Sequence, residues 1–291
     1  MDQTVSLKDW LGRQRREDDE LGVGSVRRLA AMLDHERPDS FRRGSELPES
    51  WYAILFGPTA RQSSIGPDGH PKTGDDFLPP LHGTRRMFAG RRVKFHQPLR
   101  VGDMIERVST VRHVEPKTGR TGSFTLLTVV HELSAGSGVA ITEEQDLVYR
   151  AAVNTPEAKA TSAKADAAPK QPEPRDWSAP WNPDTVMLFR YSALTYNAHR
   201  IHYDLPYTRD VEGYPALVLN GGLTALMLVE TAKLHLGGRG IAGYDARAMA
   251  PMFIGQTVAL SGRIRGEVAE LWASGPDGLP TYRVNVAIKS K

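Results

Sequence analysis

Two blocks of alternating apolar and polar residues run through this chain, and ahead of each lies a stretch with apolar residues at helical spacing. The first block divides into expected strands at 91–95, 104–114, 123–133 and 139–153, parted by the glycine-bearing turns GDM, KTGRTG and SAGSG. The second divides into 241–249, 257–265, 268–273 and 282–288. Before the first block, 6–33 is expected to be helical. A charged piece covers 10–21, and in a second piece over 25–34 Val26, Leu29, Ala30, Met32 and Leu33 share a face behind a Ser25 cap. Residues 51–56 and 185–192 are expected as short strands. Residues 57–83, with several Pro and Gly, form a long loop, and loops of that length more often serve function than packing.

The helix expected over 221–236 is apolar nearly all round. Leu223, Ala225, Leu226, Met227, Leu228, Val229, Ala232, Leu234 and Leu236 leave hardly any polar stripe, so it belongs in an interior. At about 16 residues it spans roughly 24 Å, and Glu230, Lys233 and His235 interrupt it, which argues against a bilayer crossing. A sheet wrapped around one central helix fits. Helix followed by antiparallel strands occurs twice, as does a phrase set between strands, Pro98-Leu99-Arg100-Val101-Gly102-Asp103 and Pro251-Met252-Phe253-Ile254-Gly255-Gln256. Internal duplication follows. Between the copies, NTPEAKATSAKADAAPKQPEPRD has no apolar period and reads as a linker. The expected organisation is an N-terminal domain over 1–153, a linker over 154–180 and a C-terminal domain over 181–291.

Only the second copy carries a dense polar cluster. In FRYSALTYNAHRIHYD, Asn197, His199, His202 and Asp204 can move or position protons, and Tyr191, Tyr196 and Tyr203 add ring walls with hydroxyl tips. The buried helix then opens on Asn220, a plausible N-cap, and on Gly221 and Gly222, which leave the first backbone N–H groups uncovered by side chains. A helix start of this kind can hold an oxygen that gains negative charge during reaction. The cluster and the helix tip together point to a small-molecule site.

Composition removes several function classes. The 291 residues contain no cysteine, which excludes disulfides, thiolate metal sites and cysteine nucleophiles. Net charge is only +3, so nucleic acid is not expected as a partner. The basic residues Arg85, Arg86, Arg91, Arg92 and Lys94 could face a phosphorylated or carboxylated ligand, or simply solvent. The first residues lack the apolar core of a signal peptide, and a cytoplasmic protein with no membrane partner is expected.

Over residues 80–235 the chain resembles the MaoC-like, type 2 hydroxyacyl-thioester dehydratase family of double hot-dog proteins, in particular the branch that includes mesaconyl-C4-CoA hydratase. The resemblance rests on RRMFAGRRVKFHQPLRVGD, KTGRTGSF and EEQDLVYR in the first half, and on FRYSALTYNAHRIHYD and GYPALVLNGGLTAL in the second. It implies an α+β double hot-dog, two antiparallel sheets each wrapped around a central helix, with one catalytic copy and one supportive copy. The family motif S-G-D-x-N-P-x-H-x-D places its histidine on His202 and its trailing aspartate on Asp204. Its catalytic Asp then falls on Asn197 and its Asn on His199. An amide takes up no proton at neutral pH, so Asn197 is expected to hold water while His202 acts as base.

The family's oxyanion glycine falls on Gly221, with Asn220 replacing the histidine before it. The implied reaction is reversible hydration of a 2-enoyl-CoA to a 3-hydroxyacyl-CoA, with coenzyme A as part of the substrate and no other cofactor or metal. His199, Asp204, Tyr196 and Gly222 are expected to bind or orient. The branch implies a C5 dicarboxylic thioester, mesaconyl-C4-CoA or itaconyl-CoA giving citramalyl-CoA, with Arg86 and Arg200 as candidates for its free carboxylate. The rival readings are a hot-dog acyl-CoA thioesterase, a non-catalytic acyl-thioester binder, and a metal hydrolase using His199, His202 and Asp204. Oligomeric state is open between a homodimer and a single chain whose fused copies already supply the two-fold unit.

Overall fold

The computed structural model describes residues 6–72, 77–81, 84–119, 122–136, 138–151 and 173–290. Its strands follow the sequence order β1 (Gln14–Glu20), β2 (Thr84–Phe95), β3 (Met104–Gly119), β4 (Gly122–Ala135), β5 (Gly138–Ala151), β6 (Trp177–Trp181), β7 (Ile241–Ala248), β8 (Val258–Arg265), β9 (Val268–Ser274) and β10 (Pro280–Ile288). The helices are α1 (Val23–Met32), α2 (Thr185–Leu194), α3 (Leu205–Asp210) and α4 (Gly221–Lys233). Among the described residues the strands join into one antiparallel sheet of order β1-β3-β4-β5-β2-β7-β10-β9-β8-β6.

That order is a palindrome of equivalent strands. The first half runs β1-β3-β4-β5-β2, the second runs β6-β8-β9-β10-β7 from its own edge, and the halves meet where Gly90–Lys94 of β2 pair with Gly243–Arg247 of β7. The duplication expected from the sequence is thus visible as strand order. The sheets of the two halves are continuous with each other.

Three expected elements change type. Residues 10–21 contain β1, because the segment QRREDDE offers no apolar face to bury as a helix, whereas as an edge strand it alternates exposed and half-buried positions. Its charges pair across to β3, Arg16 with Glu106 at 3.0 Å and Glu17 with Arg107 at 2.6 Å. Residues 185–192 form α2, started by Asp184, whose carboxylate accepts the Met187 N–H at 2.8 Å. Residues 51–56 fall largely in a 3-10 turn, Glu49–Ile54. The expected linker lies mostly outside the described residues, and its last part, from Trp177, is strand β6 paired with β8.

Helix α4 occupies the position expected of it. Leu223, Leu228, Val229 and Ala232 are each 1% exposed or less, and the helix packs on β8, β9 and β10. Each such Leu or Val adds about 1.5–3 kcal/mol by leaving water. Glu230 has a specific use on this apolar helix. Its Oε1 accepts from Ser50 Oγ and Trp51 Nε1, both at 3.1 Å, and from Lys233 Nζ at 2.8 Å, which ties the first half's 3-10 turn to the second half's helix. In the first half, α1 covers most of the second helical piece expected over 25–34 and packs against that turn and against α2.

Candidate active site

After α2 the chain turns sharply at Tyr196, a non-glycine residue at φ +50°, and enters the polar cluster. The Asn197 N–H donates to the Ser192 carbonyl at 2.8 Å, and Asn197 Oδ1 accepts the His199 N–H at 3.0 Å. A 3-10 turn, Arg200–His202, follows. The Val218 N–H donates to the Ile201 carbonyl at 3.0 Å, which fastens this turn to the segment leading into α4. His202 is 7% exposed, and its Nδ1–H donates to the Val218 carbonyl at 2.8 Å. A carbonyl only accepts, so the bond fixes the tautomer and leaves Nε2 as the proton-accepting nitrogen. Burial pushes the His202 pKa below the ordinary imidazole value and the His70 charge adds to this, while the Val218 bond works in the opposite direction.

The tip of α4 begins three residues beyond Val218. Asn220 Oδ1 accepts the Gly222 N–H at 2.8 Å, as expected of an N-cap, and the Gly221 N–H has no acceptor among the described residues. The two glycines serve different ends. A Cβ on Gly222 would lie 2.5 Å from the Tyr191 hydroxyl, so the space beside it is filled by that buried side chain and is not left open to a ligand. At Gly221 a Cβ would meet the Tyr282 ring at 3.3 Å.

Other expected site residues are engaged elsewhere. Asp204 caps α3 by accepting the Tyr207 N–H at 3.1 Å and pairs with Arg200 at 2.7 Å; the backbone bond first and Arg200 second hold its carboxyl below the usual range. Arg200 also donates to the Pro67 carbonyl at 2.9 Å and lies over the Tyr207 ring at 4.0 Å. With Asp204 committed in this way, the set His199, His202 and Asp204 is not assembled as metal ligands. Tyr196 is 69% exposed. Arg86 is exposed on the part of β2 that faces Tyr149 of β5, ahead of the seam with β7.

The long loop supplies residues that the polar cluster did not announce. Its turn Gly66–His70 sits directly on the cluster: the Arg200 N–H donates to the Asp68 carbonyl at 2.9 Å. At Gly69, φ is +93° and a Cβ would lie 1.8 Å from the Ala198 carbonyl oxygen, an approach open to glycine alone. The His70 ring stands 4.2 Å from that of His199, and His199 stands 5.5 Å from His202, edge to face. His70 Nδ1 and backbone N–H both donate to the Asp68 carboxylate at 3.0 Å. Burial raises the Asp68 pKa, but the two His70 bonds and the charges of His70 and His199 outweigh it and bring the carboxyl down to about 2. Asp68, His70 and His199 each offer a metal-ligand atom within 4.8 Å of the others, a donor set that suits a borderline divalent cation. The Asp68–His70 hydrogen bonds account for part of that closeness without one.

A second polar cluster lies under the sheet seam. Arg91 on β2 faces Glu143 at 3.5 Å, the Tyr52 hydroxyl donates to Glu143 at 2.7 Å, and the Tyr52 and Tyr244 hydroxyls are 3.3 Å apart. Burial would raise the Glu143 carboxyl; Arg91 and His131 bring it below its ordinary value. Burial pushes the Tyr191 and Tyr244 hydroxyls up and Tyr282 to about 12, so all three stay protonated. Arg91 Nε is buried with no hydrogen-bond partner. Two cavities, of about 560 Å³ beside Gln256 and about 280 Å³ beside Phe95, are lined by neither His202 nor Gly221.

A family model described as hydroxyacyl-thioester dehydratase type 2 matches residues 51–254, which include the Asp68–His70 turn, the polar cluster and α4. The chain is 39% identical over 285 residues to the mesaconyl-C(4)-CoA hydratase of Chloroflexus aurantiacus, covering 96% of each. It is 32% identical over 94 residues to the mitochondrial hydroxyacyl-thioester dehydratase type 2 of Schizosaccharomyces pombe, covering 32% of this chain and 30% of that one. Among solved structures, a MaoC-like dehydratase superposes with a TM-score of 0.72 at 14% identity, covering 98% of this chain and 100% of the other. HtdX of Mycobacterium tuberculosis does so with a TM-score of 0.64 at 18% identity, covering 94% and 99%. These two likenesses speak for the fold, the MaoC-like hot-dog.

Proposed function

The chain belongs to the hydroxyacyl-thioester dehydratase type 2 family, and from that membership we propose that it adds water reversibly across the double bond of a 2-enoyl-CoA, giving a 3-hydroxyacyl-CoA. The single observation that carries the local chemistry is the His202–Val218 bond. It presents a neutral imidazole, with Nε2 able to accept a proton, beside the start of a buried helix. In this reading Nε2 takes a proton from water as the oxygen attacks the β-carbon. Charge then moves to the thioester oxygen, which accepts from the Gly221 N–H and the positive end of α4. One such donor is worth roughly 2.7–4 kcal/mol in the transition state. The Asn197 side-chain N–H groups hold the water, since its Oδ1 is already taken by His199. Beyond the substrate's own coenzyme A, no cofactor takes part.

The acyl group we propose is a short branched dicarboxylic one, as in mesaconyl-C4-CoA, with citramalyl-CoA as product. Identity of 39% over nearly the full length of the Chloroflexus hydratase supports it. Arg91 is the better placed arginine for the free carboxylate, because its Nε lacks a partner and the tyrosines around it reach the tip of α4. Among the described residues, no helix is long and apolar enough to cross a membrane.

A panel of enoyl-CoAs, dicarboxylic and plain, tests this through loss of the conjugated enoyl absorbance. Turnover of the dicarboxylic members is expected. Release of free CoA in its place would make the protein a thioesterase, and binding without any spectral change would make it a non-catalytic carrier.

A further inference from the structure

We propose that the proton donor of this site is His70, carried in from the first half of the chain by the turn Gly66–His70 and positioned by Asp68. The proposal rests on the hydration reading. The polar cluster has an amide at Asn197 where the family motif has its acid. With His202 alone, one imidazole has to carry the proton from water to the α-carbon. A second proton carrier of the right chemistry stands next to the cluster, on a different part of the chain.

Its placement is specified by several independent contacts. Arg200 holds the turn twice, by its N–H to the Asp68 carbonyl and by Nη1 to the Pro67 carbonyl, both at 2.9 Å. Gly69 lets the turn lie against Ala198 closer than any side chain permits. The Asp68 carboxylate then grips His70 at both the ring and the backbone. The Asp68 carboxylate is ionised and lies 3.0 Å from Nδ1, which fixes the orientation of the ring. Two imidazoles in different settings, one buried and held neutral, the other half exposed beside a carboxylate, form the base and acid pair that water addition needs.

The proton balance closes. A water O–H bond breaks with its proton going to His202 Nε2, while the oxygen bonds to the β-carbon and the π pair moves toward the thioester oxygen. The α-carbon then takes the proton from His70 Nε2 as the carbonyl re-forms. His199, whose ring is 4.2 Å from that of His70 and 5.5 Å from that of His202, provides the route by which the proton on His202 returns to His70.

The test uses the full chain and whichever enoyl-CoA of the panel the wild type hydrates. His70→Ala is expected to lower kcat by about 10²–10⁴-fold with KM within about threefold, and added imidazole is expected to restore part of the rate. His70→Gln should show the same loss at a melting temperature within about 3 °C of wild type, which separates chemistry from folding. Asp68→Asn should fall between wild type and His70→Ala. The proposal is overturned if His70→Ala keeps its rate, or if the loss lies in KM and imidazole does nothing, since that describes a covering loop. Stoichiometric zinc in the purified protein, with activity lost to a chelator, overturns it in favour of a metal site. Inertness of the wild type toward every enoyl-CoA instead removes the hydratase reading before any variant is made.

Discussion

The imidazole of His202 donates through Nδ1 to the carbonyl of Val218 at 2.8 Å, so the residue assigned as base is fastened to the segment that starts the buried helix. Protonation therefore has a defined site, Nε2, and a defined cost, since burial holds the ring neutral. His202→Ala is expected to reduce hydration by about 10²–10⁴-fold. The base must be neutral to work and its pKa is depressed, so protonation of the base should cause no loss of rate as pH falls through the ordinary imidazole range near 6.5, and the acid-side drop should come only below it. A kcat/KM profile that already halves near pH 6.5 would count against His202 as the base.

Asn197→Asp restores a carboxylate at the position where the family carries one. Either Oδ of the new side chain can still accept the His199 N–H, so the local turn should persist. The expected outcome is activity equal to or above wild type. In a His70→Ala background the same change should recover about tenfold or more in kcat, because the cluster then has its own acid. Equal rates for the double and single variants would show that the carboxylate does not reach the reacting carbon.

Gly222→Ala drives a methyl group to 2.5 Å from the Tyr191 hydroxyl, and neither α2 nor α4 can yield without disturbing the core. A loss of roughly 1–3 kcal/mol is expected in denaturant unfolding. Combining it with Tyr191→Phe removes the colliding oxygen, so the pair should cost less than the sum of the two changes. Strict additivity would place the clash elsewhere.

Glu230→Ala strips the acceptor from Trp51, which is 2% exposed, and from buried Ser50. Buried donors left without partners cost roughly 1–3 kcal/mol, so a lowered melting temperature is expected, with Glu230→Gln losing less. Hydrogen exchange should show the 3-10 turn Glu49–Ile54 loosening first.

Much of this architecture could be read from the chain. The apolar circumference of α4 and the turn-punctuated strands placed the core, and the repeated helix-then-strands order anticipated the palindromic sheet. Segments whose neighbours decide their conformation were not legible. Gln14–Glu20 is a strand only because Glu106 and Arg107 of β3 answer its charges, and β-branched Thr185 and Val186 concealed the helix that Asp184 starts. The basic run on β2 looked uniform. Pairing splits it by alternation, sending Arg92 out to Glu144 and Asp146 and Arg91 in to Glu143.

At the site, the rings of His199 and His202 stand 5.5 Å apart and His202 is bonded to Val218 ahead of α4, while Asp204 and Arg200 pair with each other and Tyr196 is exposed. Asp68 and His70 were invisible because the cluster they meet, at His199 and Arg200, lies more than a hundred residues away. The nearest signal was the length of the loop that carries them.

The seam between β2 and β7 also bears on how this protein can be taken apart. Each half ends in an interior strand whose backbone groups are satisfied by the other half, from Gly90 opposite Arg247 to Lys94 opposite Gly243. Two polypeptides divided between Ala151 and Glu173 would each present that strand bare, a template for pairing with any extended chain. Produced separately they should be prone to clump, and produced together they should find one another and rebuild the whole sheet, so genetic complementation by fragments is built into the topology.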